Sequence, residues 1–370
     1  MPTKDDMSSL LRVRWPAEVL AAQGADVEIA DQPWYVRQRE GQVIDIQEPE
    51  CDVIVLCRPQ HEMIVQSIPL LQAAGIAVVA DYDDDLSAVH PKNHAHAAFD
   101  PEKRPESNWR WAQEAAALAD LVTVSTLALL GVYAPHGRGM VVPNRLPSWR
   151  VPHRPAYDGP TRLGWPGFLG THPTDLLEMG GAAGKVIRGT REAFRVIGGG
   201  KGFSQRQRAA DLAAIARQVG CRVSGGDWVD KDAWPLALTG LDVGVSPSQP
   251  SAFNRSKSAL KSMELAAAGV AVVSSPIPDN RRVEADGVCV VATDRREWYA
   301  ALRRLMLDSS ARQEQAERGR AAVIENHLME PNVSDWWDAW ERAFVNHRAT
   351  RPGTVPLPRM TDPQQEAAAR

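Results

Sequence analysis

The sequence predicts an α/β chain of two parallel-sheet domains, and three observations carry that prediction. Short apolar strands alternate with helical stretches, the pattern of a parallel sheet covered on both faces. Pro143, Pro147, Pro152, Pro155 and Pro160 then fall within eighteen residues, with few apolar residues between them, which reads as a linker. Beyond the prolines the alternation begins again. At 370 residues the chain has length for two ordinary cores. The expected organisation is an N-terminal domain over 1–147, a linker over 148–160 and a C-terminal domain over 161–330. A C-terminal helix over 331–347 would pack back on the first domain, and a disordered tail would fill 348–370.

In order, Pro16 to Gln23 reads as a helix and Asp26-Val27-Glu28-Ile29 as an alternating strand. The strand Asp52 to Cys57, the helix Glu62 to Ala74 and the strand Ile76 to Ala80 follow. Next come the helix Trp109 to Ala119, the strand Leu121 to Ser125 and a last short strand at Val141 to Asn144. A sheet of this kind opens with an apolar strand, yet Met1 to Ser9 offers none; either Leu10 to Val13 is a stunted first strand or the chain starts late. After the linker come the strand Arg162 to Trp165, the helix Thr174 to Val186 and the strand Ala193 to Ile197. The helix Gln205 to Gln218 and the strands Arg222 to Ser224 and Leu241 to Val245 lead to a further helix and the strand Val270 to Val273. Asp294 to Leu307 and Ser310 to Asn326 read as closing helices. Trp336, Trp337, Trp340 and Phe344 lie at helical spacing, and an amphipathic packing helix accounts for them better than a membrane surface does. From Arg348 onward four prolines and no apolar periodicity point to disorder.

Composition narrows the function. A hydrophobic content of 44% and a charged content of 24% are those of a soluble globular protein. The net charge of −4 gives no global reason to expect nucleic acid. Cys51, Cys57, Cys221 and Cys289 form no CxxC pair, and no apolar run approaches the roughly 18 residues of a membrane span. With no apolar leader region in MPTKDDMSSL, a reduced, cytoplasmic setting is expected.

The stretch Phe253 to Ser275, FNRSKSALKSMELAAAGVAVVSS, concentrates the chemistry. It reads as a polar loop, a helix opened by serines and lysines, a glycine stop at Gly269 and a buried strand. Unpaired N–H groups and the positive end of the dipole suit a phosphate there. Lys257 and Lys261 lie four apart, predicting a shared face near the helix start, with Glu264 one turn deeper where a carboxylate could accept hydrogen bonds from a ribose. The plain alternative is a solvated helix end packed by Leu260, Met263 and Leu265. Gly164 to Gly170 and Gly198 to Gly202 are glycine-rich loops at strand ends, suited to close approach of a phosphate or to simple turns. His172 is a contact or a capping residue, and Trp165 and Trp228 are base-stacking or core. Proline at the helix start explains Trp234-Pro235. Asp81, Asp83, Asp84 and Asp85 crowd one strand end; with His90, His94 and His96 downstream they suggest a metal, while aspartates at strand ends also cap the next helix.

These strings resemble GT-B glycosyltransferases, specifically the retaining, family 4-like group, from about Arg12 to Phe344. Arg14-Trp15-Pro16-Ala17 resembles the first helix of the acceptor domain. Cys51 to Pro59 with Asp81 to Leu86 resembles an "RP…DxDDDL" pattern of a bacterial and phage branch. Ala119 to Thr126 and Val142-Pro143-Asn144 resemble that domain's closing strands, and Leu241 to Pro247 leading into Phe253-Asn254 and Lys257-Ser258 is the most specific match. Such enzymes often carry two glutamates eight apart in this region; Glu264 matches the second, and Ser256 stands where the first would be. The resemblance implies two Rossmann-like parallel-sheet domains facing a cleft. It implies transfer of a sugar from a nucleotide-diphosphate sugar to an acceptor hydroxyl, with retention and without a bound metal or other cofactor. Donor contacts would be Gly167, Arg255, Lys257, Ser258, Lys261 and Glu264. Asp83, Asp84 and His90 would face the reacting sugars. The acceptor could be a protein, a glycan or modified DNA. The alternatives are a nucleotide-sugar epimerase of the same shape and a non-catalytic nucleotide-sugar-binding protein.

Overall fold

A computed structural model describes residues 6–31, 34–47, 49–188 and 190–350; the expected disordered tail, from 351 on, lies outside the described residues. The chain divides into one unit of Met1–Val89, Ala97–Asn144 and Met329–Arg370 and a second of His90–His96 and Arg145–Leu328.

In unit 1 an antiparallel hairpin, β1 (Val36–Arg39) and β2 (Gln42–Ile46), precedes a four-stranded parallel sheet. That sheet holds β3 (Val53–Cys57), β4 (Ala77–Tyr82), β5 (Leu121–Val124) and β6 (Gly139–Val141) in chain order. All its pairings are parallel. β4 is buried at every position, as a strand covered on both faces must be. The helix Ser334–Thr350 packs across β3, β4 and β5 and buries Trp336, Ala339, Trp340, Ala343 and Phe344; it runs three residues past the expected boundary at 347.

Two N-terminal expectations are corrected. Asp26–Ile29 alternates in exposure but forms no strand, because no neighbouring strand pairs with it. Leu10–Arg14 is not a stunted strand; it is a π-helical turn leading into the helix Trp15–Ala22. The cause is Pro16, which lacks the N–H that an α-turn would donate to the Arg12 carbonyl. The Trp336 indole N–H donates to that carbonyl instead, at 3.1 Å. The same turn sends the Arg12 side chain inward. It donates to both Asp81 oxygens, at 3.0 and 2.8 Å, to the Val142 carbonyl at 2.6 Å and to Asn144 Oδ1 at 2.9 Å.

Unit 2 is a six-stranded parallel sheet of β7 (Leu163–Pro166), β8 (Phe194–Ile197), β9 (Val223–Gly225), β10 (Val243–Ser246), β11 (Ala271–Ser274) and β12 (Val290–Val291). Its order is β12-β11-β10-β7-β8-β9, so the chain leaves β7 toward one edge and returns at β10 toward the other. The point between β7 and β10 is the topological switch, where open α/β sheets form a crevice at their carboxyl ends. One face packs Trp165, Phe194, Val245 and Val273 against Trp298 and Leu302, and the other packs Val272 against Met263, Leu265 and Val323. The expected helix Thr174 to Val186 is split into a 3-10 turn, Asp175–Met179, and the helix Ala182–Ile187. Gly180 and Gly181 between them have φ of 56° and 77°, left-handed values that end the first turn. The expected helix near residue 256 is split as well: Ala252–Arg255 is one turn, and the main helix begins at Leu260 and ends at Ala267.

Candidate functional site

The loops leaving β7 and β10 bring one polar cluster to the switch point of unit 2. Asp175, at the start of the 3-10 turn, is its hub. One carboxylate oxygen lies 2.8 Å from His172 Nδ1, and the other accepts from Asn254 Nδ2 at 2.7 Å and from the Gln249 N–H at 3.0 Å. Asn254 is positioned by the turn Ala252–Arg255, which Ser251 caps by accepting the Asn254 N–H at 3.0 Å. Burial works against the Asp175 charge, but the His172 contact and the Gln249 N–H outweigh it and hold the carboxyl below its ordinary value.

Lys261 lies in the first turn of the helix Leu260–Ala267, with Nζ 3.4 Å from His172 Nε2 and 5.4 Å from the centre of the Trp165 ring. Burial, with Lys257 nearby, pushes the ammonium down to about 8 against the pull of Asp175 and Glu264. Burial, with Lys261 nearby, also pushes His172 down to about 4, so its imidazole is neutral at pH 7. Glu264, one turn on, receives Arg150 Nη2 on Oε1 at 3.3 Å and the Trp234 indole N–H on Oε2 at 3.2 Å. Burial raises its carboxyl above the ordinary value, against the opposing effect of Arg150 and Trp234.

Lys257 is not on the helix with Lys261, correcting the predicted shared face. It lies in the connection between the two helical pieces, with Nζ 4.4 Å from the centre of the Phe253 ring. Ser258 is half-buried in the same connection, and Arg255 is exposed at the end of the preceding turn. Gly167 opens the loop after β7 and donates its N–H to the Ile197 carbonyl at 2.9 Å. A Cβ there would overlap the indole ring of buried Trp165, so glycine is required.

Asp83 and Asp84 follow β4 in unit 1, and His90 belongs to unit 2. Asp83 Oδ1 lies 3.9 Å from Arg58 Nε, and the Asp84 carbonyl accepts the Tyr133 hydroxyl at 3.0 Å. Asp81 is neutralised by Arg12 and accepts the Thr123 hydroxyl at 2.6 Å. Asp85 caps the turn Leu86–Ala88 through the Ser87 N–H at 3.1 Å. The His90 imidazole accepts the Lys92 N–H at 3.0 Å. Among the described residues no group of three His, Cys, Asp or Glu side chains is placed to hold a metal.

Arg150, Asp175 and Asn254 were not picked out as site residues by sequence. The signal open to inspection was His172-x-x-Asp175 directly after a glycine-rich strand end. His90–His96 also travels with unit 2: the His94 N–H donates to the Gly170 carbonyl at 2.8 Å, and Asn93 Nδ2 to the Thr171 carbonyl at 3.0 Å.

Residues 185–338 match a family model described as glycosyl transferase-like, and that segment contains Lys261 and Glu264. A search of curated protein sequences finds no match. Among solved structures, sucrose-phosphate synthase from Thermosynechococcus elongatus is similar over 90% of this chain and 92% of its own, at TM-score 0.60 and 14% identity. A trehalose-6-phosphate protein from E. coli bound with UDP-2-fluoro glucose is similar over 77% and 72%, at TM-score 0.53 and 13% identity. A trehalose-6-phosphate synthase studied for glycosyltransfer with retention is similar over 78% and 73%, at TM-score 0.53 and 12% identity. No helix among the described residues is long and apolar enough to cross a membrane. The chain has the GT-B fold, and the glycosyl transferase-like match over residues 185–338 supports a glycosyltransferase enzyme.

Proposed function

We propose that the protein transfers a sugar from a nucleotide-diphosphate sugar to an acceptor hydroxyl with retention, as the family 4-like group does. The observation that carries this is the half-buried Lys261 ammonium at the β7/β10 switch point, over the Trp165 ring. A partly desolvated cation without a strong ion pair at a strand-end crevice is suited to a diphosphate. Lys257, Ser258 and Arg255, in the turn and connection that precede this helix, would add to the donor contacts. Glu264 has one protein donor on each oxygen, leaving lone pairs for ribose hydroxyls. The UDP-2-fluoro glucose carried by one structural neighbour is of the same donor class.

In the reaction the acceptor oxygen bonds to the anomeric carbon on the face from which the diphosphate leaves. The bond from that carbon to the diphosphate oxygen breaks, and the departing diphosphate takes the acceptor proton. Lys261 and its neighbours stabilise the charge that develops on the leaving group. The family match favours transfer over epimerisation or binding alone. Thermal-shift measurements with UDP-, GDP- and ADP-sugars test the proposal: one donor should raise the melting temperature, and Lys261→Ala and Glu264→Ala should each abolish that rise. Failure of all three classes on the unaltered protein would remove the basis of the reading.

A further inference from the structure

We infer that His172 is a positioning residue for Lys261: Asp175 fixes the imidazole so that Nε2 accepts a hydrogen bond from the ammonium and holds it at the switch point. The tautomer follows from the donors present. Asp175 accepts from Asn254 and Gln249 on one oxygen, and its other oxygen lies 2.8 Å from His172 Nδ1. An ionised carboxylate only accepts, so Nδ1 carries the hydrogen and Nε2 is left with its lone pair. That lone pair faces Lys261 Nζ at 3.4 Å. The ammonium has three hydrogens; one is directed to His172 while the Trp165 ring lies under the charge, so donor capacity remains for a ligand.

The loop that carries His172 is braced on both sides of it. Asn93 Nδ2 donates to the Thr171 carbonyl at 3.0 Å, and Gln218 Nε2 to the Pro173 carbonyl at 2.9 Å. The His172 N–H itself donates to the Phe168 carbonyl at 3.1 Å. The charged and titratable groups that face the pair are Asp175, Lys257 and Glu264. Burial and Lys261 keep the imidazole neutral down to about pH 4, which is the form that accepts. A protonated imidazole would repel the lysine instead. The consequence for donor binding rests on the proposed function, but the positioning itself does not.

The experiment observes Lys261 directly in the full chain. Lysines are labelled as 13C-dimethyl derivatives, the Lys261 signal is assigned by its loss in Lys261→Arg, and pH titrations are compared for wild type, His172→Leu and His172→Gln. Wild type should titrate near pH 8. His172→Leu removes the acceptor and should lower that midpoint by about one unit, since a hydrogen bond to a charged group is lost. His172→Gln, whose amide oxygen reaches the same position, should restore it. Binding of UDP, GDP or ADP, whichever wild type binds best, should weaken about threefold at pH 7.5 in the leucine variant and recover in the glutamine variant. An unchanged midpoint in His172→Leu, or equal changes in both variants, would overturn the inference. If the leucine variant does not fold, His172→Ala takes its place: a midpoint about one unit below wild type supports the inference and an unchanged one overturns it. If wild type binds no nucleotide, the donor reading fails, while the titration still decides the role of His172.

Discussion

Raising the pH above 8 should weaken nucleotide binding through Lys261. In the free protein burial pushes this ammonium down to about 8. A bound diphosphate places negative charge and acceptor oxygens beside it, so the complex keeps the proton to higher pH. Below pH 8 both forms carry the proton, and affinity is flat with respect to this group. Above it the free protein has lost a proton that the complex needs. Each further unit then lowers affinity about tenfold, or about 1.4 kcal/mol. At pH 9 binding should take up about nine-tenths of a proton per site. Isothermal titration calorimetry with the preferred nucleoside diphosphate, in buffers of different ionisation enthalpy, measures both quantities. Lys261→Arg stays charged throughout and should show neither effect. Affinity that is flat to pH 9.5 in the wild type, or proton uptake that persists in Lys261→Arg, would refute the reasoning.

Three further outcomes follow from the geometry. Arg12→Met strands the buried Asp81 carboxylate and should cost about 3–5 kcal/mol in urea denaturation at pH 8. Burial already holds the Asp81 carboxyl above its ordinary value against the pull of Arg12, and without that partner it rises further, so the loss should shrink as the pH is lowered toward 5; a pH-independent loss below about 1 kcal/mol would contradict the pairing. Trp336→Phe leaves the Arg12 carbonyl buried without its indole donor and should cost about 1–3 kcal/mol, read from the same denaturation curves. Gly167→Val forces the loop after β7 away from the Trp165 ring, costing about 1–3 kcal/mol, and should abolish the donor-induced thermal shift. A variant that kept that shift would show that Gly167 is not at the donor.

Most strands were legible because a doubly covered parallel strand is an unbroken apolar run; β4, β5, β10 and β11 fall within a few residues of their predicted places. Asp26–Ile29 shows the limit. Its alternation is present in the structure, but a strand also needs a neighbour to pair with, and local sequence holds no record of one. The turn at Leu10 was misread for a related reason: four apolar or long side chains suit a strand or a helix, and Pro16 decides the geometry from outside that window. In the site, Lys261 and Glu264 were visible because their spacing on one helix is local. His172 was visible only as an isolated residue. Its partners, Asp175 and Lys261, are 3 and 89 positions away, and only the fold shows that they converge. Arg12 and Asp81, 69 residues apart, were hidden in the same way, which is why the aspartate run invited a metal reading. Lys257 was placed wrongly because the helix it was expected to share with Lys261 breaks over residues 256–259.

The central claim is that unit 2 holds and activates a nucleotide-diphosphate sugar at the β7/β10 switch. Its most direct test is release of nucleoside diphosphate from UDP-, GDP- and ADP-sugars by the full chain, with and without candidate acceptor glycans and proteins. One donor class should be turned over by the wild type, and Lys261→Ala should reduce turnover by a factor of about one hundred or more. Equal turnover by wild type and Lys261→Ala would contradict the account.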